Sequence, residues 1–207
     1  MFYLWGLGCL VVLGAVAWSV TARAAYESAP YKVVKSDGNI EIREYPDLVM
    51  ASTEAKIDAR GNDGSFMRLF RYISGNNETD QKIEMTTPVF MEPDSPESKG
   101  QMGFVMPKQI ADAGAPAPKA SDVAIRKRAG GRFAVIRFSG VMDAKKAKAQ
   151  EATLREWLKT RGLQGEAMAE RAGYDPPFMP GPLRRNEVLI RLKPATEIST
   201  STPEAGE

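Results

Sequence analysis

The segment IEIREY, residues 40 to 45, has a counterpart later in the chain. Ile40, Ile42 and Tyr45 fall on Phe133, Val135 and Phe138 at one constant offset of 93 residues. A constant spacing of this kind marks a supersecondary unit used twice, and it narrows the available folds. The first copy reads as a hairpin, YKVVKSDGNIEIREY (31–45), turning at Ser36-Asp37-Gly38-Asn39, with Ile40 and Ile42 on one face and Glu41 and Arg43 on the other. The second, VAIRKRAGGRFAVIRFSG (123–140), repeats it with Gly130-Gly131 as the turn. Each hairpin leads on to a helix. In the first, Phe66, Leu69, Phe70 and Ile73 are helically spaced, Asn62 or Asp63 caps the start and Gly75 stops the end. The second runs from Asp143 as cap to Gly162 as stop, with Ala147, Leu154, Trp157 and Leu158 as its apolar stripe. The expected fold is α+β, a pseudo-two-fold repeat of βαβ-type units forming a curved antiparallel sheet or distorted barrel flanked by two helices, with a groove between helix and sheet.

The remaining segments fit around these units. KIEMTTPVFM (82–91) and MGFVMP (102–107) read as strands, and 108–122, rich in Ala and Pro, as a long exposed connection. A proline-rich loop, RAGYDPPFMPGPLRRN (171–186), precedes a last strand, EVLIRL. Residues 2–20 are continuously apolar and lead into TARAA, the pattern of an export signal cleaved after Ala24. They are also long enough for a retained anchor across a bilayer. Residues 1–24 are therefore a signal or anchor, 25–194 one folded domain, and 195–207 a disordered tail. The expected location is exported, periplasmic or anchored to the inner membrane facing the periplasm.

Several chemistries are ruled out by composition. The 207 residues contain no histidine and one cysteine. Triads with an imidazole base, zinc sites built on histidine, haem iron held by histidine and intrachain disulfides all fall away. The formal net charge is only +2, and acids alternate with bases, so no basic stripe points to nucleic acid.

IEIREY (40–45), RYISGNN (71–77) followed by IEMTTPVFM (83–91), RFSG (137–140) and GYDPPFMPGPLRRNEVLI (173–190) together resemble the SOUL, or haem-binding protein, family in the family's own order. The resemblance covers roughly residues 26 to 193. It implies a pseudo-two-fold α+β barrel that binds haem or another tetrapyrrole and is not an enzyme.

The first helix offers a site of the right chemistry. Met67 and Arg71 lie together on its flank. A porphyrin needs broad apolar contact for its plane and a cation for its propionates, which a thioether one turn from a guanidinium supplies. The resemblance places a basic residue at Arg71. A second basic position of the family is occupied here by Asp63, leaving Arg68 or Arg60 to substitute. The resemblance implies a second wall in the loop from Tyr174 to Met179, with Tyr174, Phe178 and Met179 facing the ligand. Arg184 and Arg185 match paired arginines of the family and are read as anchoring that loop through Glu187 or backbone carbonyls. Without histidine, haem would be held by its face and propionates, in a monomer suited to carriage or buffering. Two alternatives stand beside this reading. One is a small-molecule hydrolase using Glu84 with Tyr72 or Tyr45 as acid and base. The other is a membrane-tethered interaction domain without a ligand.

Overall fold

A computed structural model describes residues 26–55, 63–95, 99–176 and 179–194. The apolar segment 2–20 and the tail lie outside the described residues. The strands are β1 (Glu27–Ser28), β2 (Lys32–Asp37), β3 (Ile40–Tyr45), β4 (Leu48–Glu54), β5 (Thr86–Thr87), β6 (Val89–Glu92), β7 (Gln101–Val105), β8 (Ala124–Arg128), β9 (Gly131–Ser139), β10 (Gly165–Gly173) and β11 (Arg185–Leu192). The helices are α1 (Ser65–Ile73), α2 (Lys108–Ala113) and α3 (Ala144–Thr160). Nine strands form one sheet in the order β2-β3-β9-β11-β10-β6-β7-β4-β8, and β1 and β5 form a short parallel pair. Every pairing within the large sheet is antiparallel. The sheet is open, with β2 and β8 at its ends, and does not close into a barrel. Inside β2, its order reads the same from either end when β3, β4, β6 and β7 are exchanged for β8, β9, β10 and β11.

The first hairpin, β2–β3, is present, but the second is not. β8 pairs with β4, whereas β9 pairs with β3 and β11. The chain does not reverse at Gly130; it passes from one ladder into another. Tyr45 stands opposite Gly131 and Leu48 opposite Arg128, three residues forward on one side and three back on the other, so the register runs unbroken across the joint. A Cβ on Gly130 would sit 2.5 Å from the Tyr45 carbonyl oxygen and 2.6 Å from the Pro46 carbonyl carbon. Only glycine lets the two backbones cross this closely. The offset of 93 therefore aligns β3 with β9, which are hydrogen-bonded neighbours with Ile40 opposite Ile136. The offset sets Ile40 and Ile42 against Phe133 and Val135, which lie on the other face of the sheet, and because β9 is buried on both faces its apolar residues match at either parity without marking equivalent units.

The alternation separates two faces. On one, Leu154 and Leu158 of α3 cover Ala134, Ile136, Val188 and Ile190, while Leu69, Tyr72 and Ile73 of α1 cover Ala51 and Phe104. On the other, Tyr45, Met50, Phe90, Phe133 and Leu189 pack together beneath Ala29 and Tyr31 of the N-terminal segment. The Asp143 carboxylate accepts the Lys146 backbone N–H at 2.7 Å, the expected cap of α3. At α1, Asp63 Oδ1 accepts the Ser65 N–H at 3.0 Å.

Two segments depart from expectation, and a third, β10, has no counterpart in the sequence reading. GEAMAERAG forms β10 although it carries no β-branched residue; ladders to β11 and β6 on both sides override its helix-favouring composition. Residues 108–113 form α2 within the supposed exposed connection. The 82–91 stretch is not one strand, because Pro88 separates β5 from β6, and β6 is an interior strand between β10 and β7. The joint gives a direct prediction: Gly130→Ala lowers the unfolding free energy by about 1–3 kcal/mol, the usual cost of overpacking, measured by urea denaturation followed by circular dichroism.

Candidate functional site

Helix α1, SFMRLFRYI, buries Ser65, Leu69, Tyr72 and Ile73. The expected stripe included Phe66 and Phe70, so the helix is rotated about its axis relative to that reading. Tyr72 drives the rotation: its ring enters the core and its hydroxyl donates to the Pro116 carbonyl at 2.9 Å. Phe70 is consequently 43% exposed and Met67 48% exposed. Phe66, half-buried, packs edge-on against Phe104 at 5.2 Å and lies nearly parallel to Phe70 at 6.1 Å. The result is an apolar ridge of Phe66, Met67 and Phe70 on the outside of α1. Arg71 is exposed beside it, and its guanidinium pairs with no carboxylate among the described residues. Arg68 is not available as a second clamp. It donates to Thr53 Oγ1 at 2.9 Å, to the Glu54 carbonyl at 2.6 Å and to the Asp63 carbonyl at 3.1 Å. Arg60 lies outside the described residues.

The proline-rich loop does not present the residues expected of a wall. Tyr174 is 7% exposed and Met179 2% exposed, and Phe178 lies outside the described residues. Tyr174 belongs to the core on the face opposite α1, so it is not brought to the Met67–Arg71 ridge. The paired arginines hold the loop in the way the sequence indicates. Arg184 Nε donates to the Met179 carbonyl at 2.8 Å, and Arg185 reaches Glu187 Oε1 through Nη2 at 2.6 Å and Nε at 3.1 Å. The Glu84–tyrosine pair of the hydrolase reading is not assembled. Glu84 is exposed, the Tyr72 hydroxyl is committed to Pro116, and burial pushes Tyr72 up to about 12.

A polar constellation that the alternation pattern concealed occupies the face opposite the helices. Glu187 is 0% exposed and Arg43 1%. Arg43 donates through Nη1 to Glu187 Oε2 at 2.8 Å and through Nη2 to Glu187 Oε1 at 3.0 Å, a bidentate pair. Its Nε donates to Glu41 Oε2 at 2.7 Å, and its guanidinium lies 4.2 Å over the Tyr31 ring. The Tyr174 hydroxyl completes the set, donating to Glu187 Oε2 at 2.9 Å. Burial opposes ionisation of Glu187, but hydrogen bonds and charge from Arg43 and Arg185 hold its carboxyl below the usual range. A second pair, Arg128–Glu170 at 2.6 Å, lies nearby, with the Arg128 guanidinium 4.4 Å over both Phe90 and Phe133. These positions were readable as the polar partners of alternating strands. Nothing local shows that this face is covered by the N-terminal segment and the Tyr174 loop rather than by water.

Fold and side chains define an α+β domain on an antiparallel sheet, with buried ion pairs on one face and an exposed apolar ridge beside a cation on the other. Among the described residues no group of three or more His, Cys, Asp or Glu side chains is placed to hold a metal. Residues 26–191 match the model of the family described as "SOUL heme-binding protein", and the chain belongs to that family. It is 33% identical over 175 residues to mouse heme-binding protein 2, covering 80% of this chain and 83% of the mouse protein. To human heme-binding protein 2 it is 34% identical over 158 residues, covering 72% and 76%. A hydrolase from Listeria innocua shares the fold, with a TM-score of 0.56 over 77% of this chain and 94% of that one, at 10% identity.

The buried pair predicts a specific stability profile. Glu187→Ala strands Arg43 without its bidentate partner and is expected to cost about 3–5 kcal/mol in urea unfolding. Because the folded-state pKa of Glu187 lies below its ordinary 4.5, its contribution is present above that value and is lost as pH falls through the lower, folded-state pKa. The urea midpoint of the unaltered protein is expected to drop on going from pH 6 to pH 3, and to drop less in Glu187→Gln.

Proposed function

We propose that this chain binds haem or a related tetrapyrrole non-covalently on the exposed ridge of α1, for carriage or buffering rather than catalysis. The observation that carries the reading is the ridge itself: Met67 and Phe70 stand nearly half exposed on a helix whose other face is fully packed, with Arg71 alongside. Flat apolar contact and one unpaired cation are what a porphyrin face and propionate require. Membership of the family and the names of its mouse and human relatives support the same ligand class. With no histidine in the chain, the iron receives no imidazole, and affinity comes from the macrocycle and propionates. Tyr174 and Met179 enter this reading as the buried footing of the loop.

The palindromic strand order is read as two copies of one unit, β3-β4-α1-β6-β7 and β8-β9-α3-β10-β11. Among the described residues no helix is long and apolar enough to cross a membrane. The proposed export signal or anchor is the sequence 2–20, placing a monomeric domain in the periplasm or on the inner membrane facing it.

Titration with haemin, followed in the Soret band, tests the site. Saturable one-to-one binding is expected, with a spectrum lacking histidine-ligated low-spin features. Arg71→Ala is expected to weaken it about tenfold, equivalent to about 1.4 kcal/mol, and Met67→Asp to weaken it at least as much. Uptake that is unsaturable, or unchanged in both variants and matched by an apolar dye, overturns the assignment.

A further inference from the structure

The ridge of α1 holds one side chain whose chemistry goes beyond apolar contact. Met67 is 48% exposed, and its thioether sulfur is a soft donor, suited to the softer metal ions. At about 100° per residue around the helix, Met67 lies between Phe70 and Arg71, with Phe66 beyond Phe70. The two phenylalanine rings are nearly parallel, 6.1 Å apart. Apolar rings therefore flank the sulfur on one side and a guanidinium on the other. A macrocycle resting on Phe66 and Phe70 with a propionate turned towards Arg71 brings its centre, and so its iron, to the residue between them.

The other donors around α1 are committed elsewhere. The chain has no histidine. The Tyr72 hydroxyl donates to the Pro116 carbonyl at 2.9 Å, and its raised pKa of about 12 keeps it from acting as a phenolate at neutral pH. Met102 is 9% exposed and its sulfur accepts the Ser65 hydroxyl at 3.5 Å. Met85 and Met91 are packed against the core beneath the helix. Among the described residues the only other exposed methionine is Met168 of β10. The Ala167 carbonyl beside it accepts from Arg155 of α3 at 2.5 Å, so Met168 stands by the other helix.

We infer that Met67 is a ligand to the iron of the bound haem, through its sulfur, and that it favours the ferrous state. This role rests on haem binding at the α1 ridge. A thioether holds ferrous iron more tightly than ferric, so ferric affinity still comes from the macrocycle and propionates. Methionine ligation also raises the reduction potential of a haem.

The test is X-ray absorption at the iron edge and potentiometry on the full chain loaded with haemin and reduced with dithionite. A sulfur neighbour of the iron is expected in the unaltered protein and in Met168→Leu, and is expected to be lost in Met67→Leu. Leucine matches methionine in size and apolar character, so Met67→Leu is expected to bind ferric haemin within about threefold of the unaltered protein. Its reduction potential is expected to fall. Met67→His is expected to show imidazole nitrogen at the iron, since a donor at the same position meets the same metal. If haemin binds saturably and Arg71→Ala weakens it, but the iron has no sulfur neighbour or keeps it in Met67→Leu, the ligand role is overturned and binding at the ridge stands. Loss of the sulfur in Met168→Leu overturns it equally. Absence of saturable, Arg71-dependent binding overturns the ridge site and the ligand role together.

Discussion

The bidentate contact between Arg43 and Glu187 governs the interior of this domain. It joins β3 to β11 across the intervening β9. Burying two charges costs several kcal/mol each before any contact forms. Here every nearby element contributes to offsetting that cost: Arg185 and Tyr174 at Glu187, Glu41 and the Tyr31 ring at Arg43. The N-terminal segment and the loop before β11 are thereby tied to the sheet through polar contacts as well as apolar ones. A pair of this kind specifies an arrangement more than it adds stability, because any alternative packing would leave a charge stranded.

That fixed interior lets α1 present what it does. The helix is held by Leu69, Tyr72 and Ile73 in the apolar layer on one face, while the opposite face carries the ionic layer. Neither layer needs Met67, Phe70 or Arg71 for its integrity. Large apolar side chains left on the outside of a well-packed helix are the surface that the proposed haem site would use.

Much of this was legible in the residues. IEIREY and EVLIRL announced their strands through alternation and β-branching, and Asp143 announced the start of α3. The resemblance to SOUL proteins, carried by RYISGNN and GYDPPFMPGPLRRN, placed the chain in its family. Other features were not legible because they depend on distant partners. GEAMAERAG has the composition of a helix and is a strand only between β11 and β6. Gly130 looks like a hairpin turn, since local sequence cannot distinguish a reversal from a close crossing. Phe66 and Phe70 fit an apolar stripe as well as Tyr72 does, and the carbonyl of Pro116 decides which side faces in. Alternation separated Arg43 from Ile42 correctly, but only the assembled domain shows that both faces are covered.

The unbroken register across the β3–β4 and β8–β9 joints has a mechanical consequence. The first part of the chain meets the second along β3–β9, β4–β8 and β6–β10. Neither part can complete its own sheet, since each presents edges that only the other can satisfy. The two parts of the chain are thus interlaced rather than stacked, and a load applied to either must be shared along the ribbon they form together.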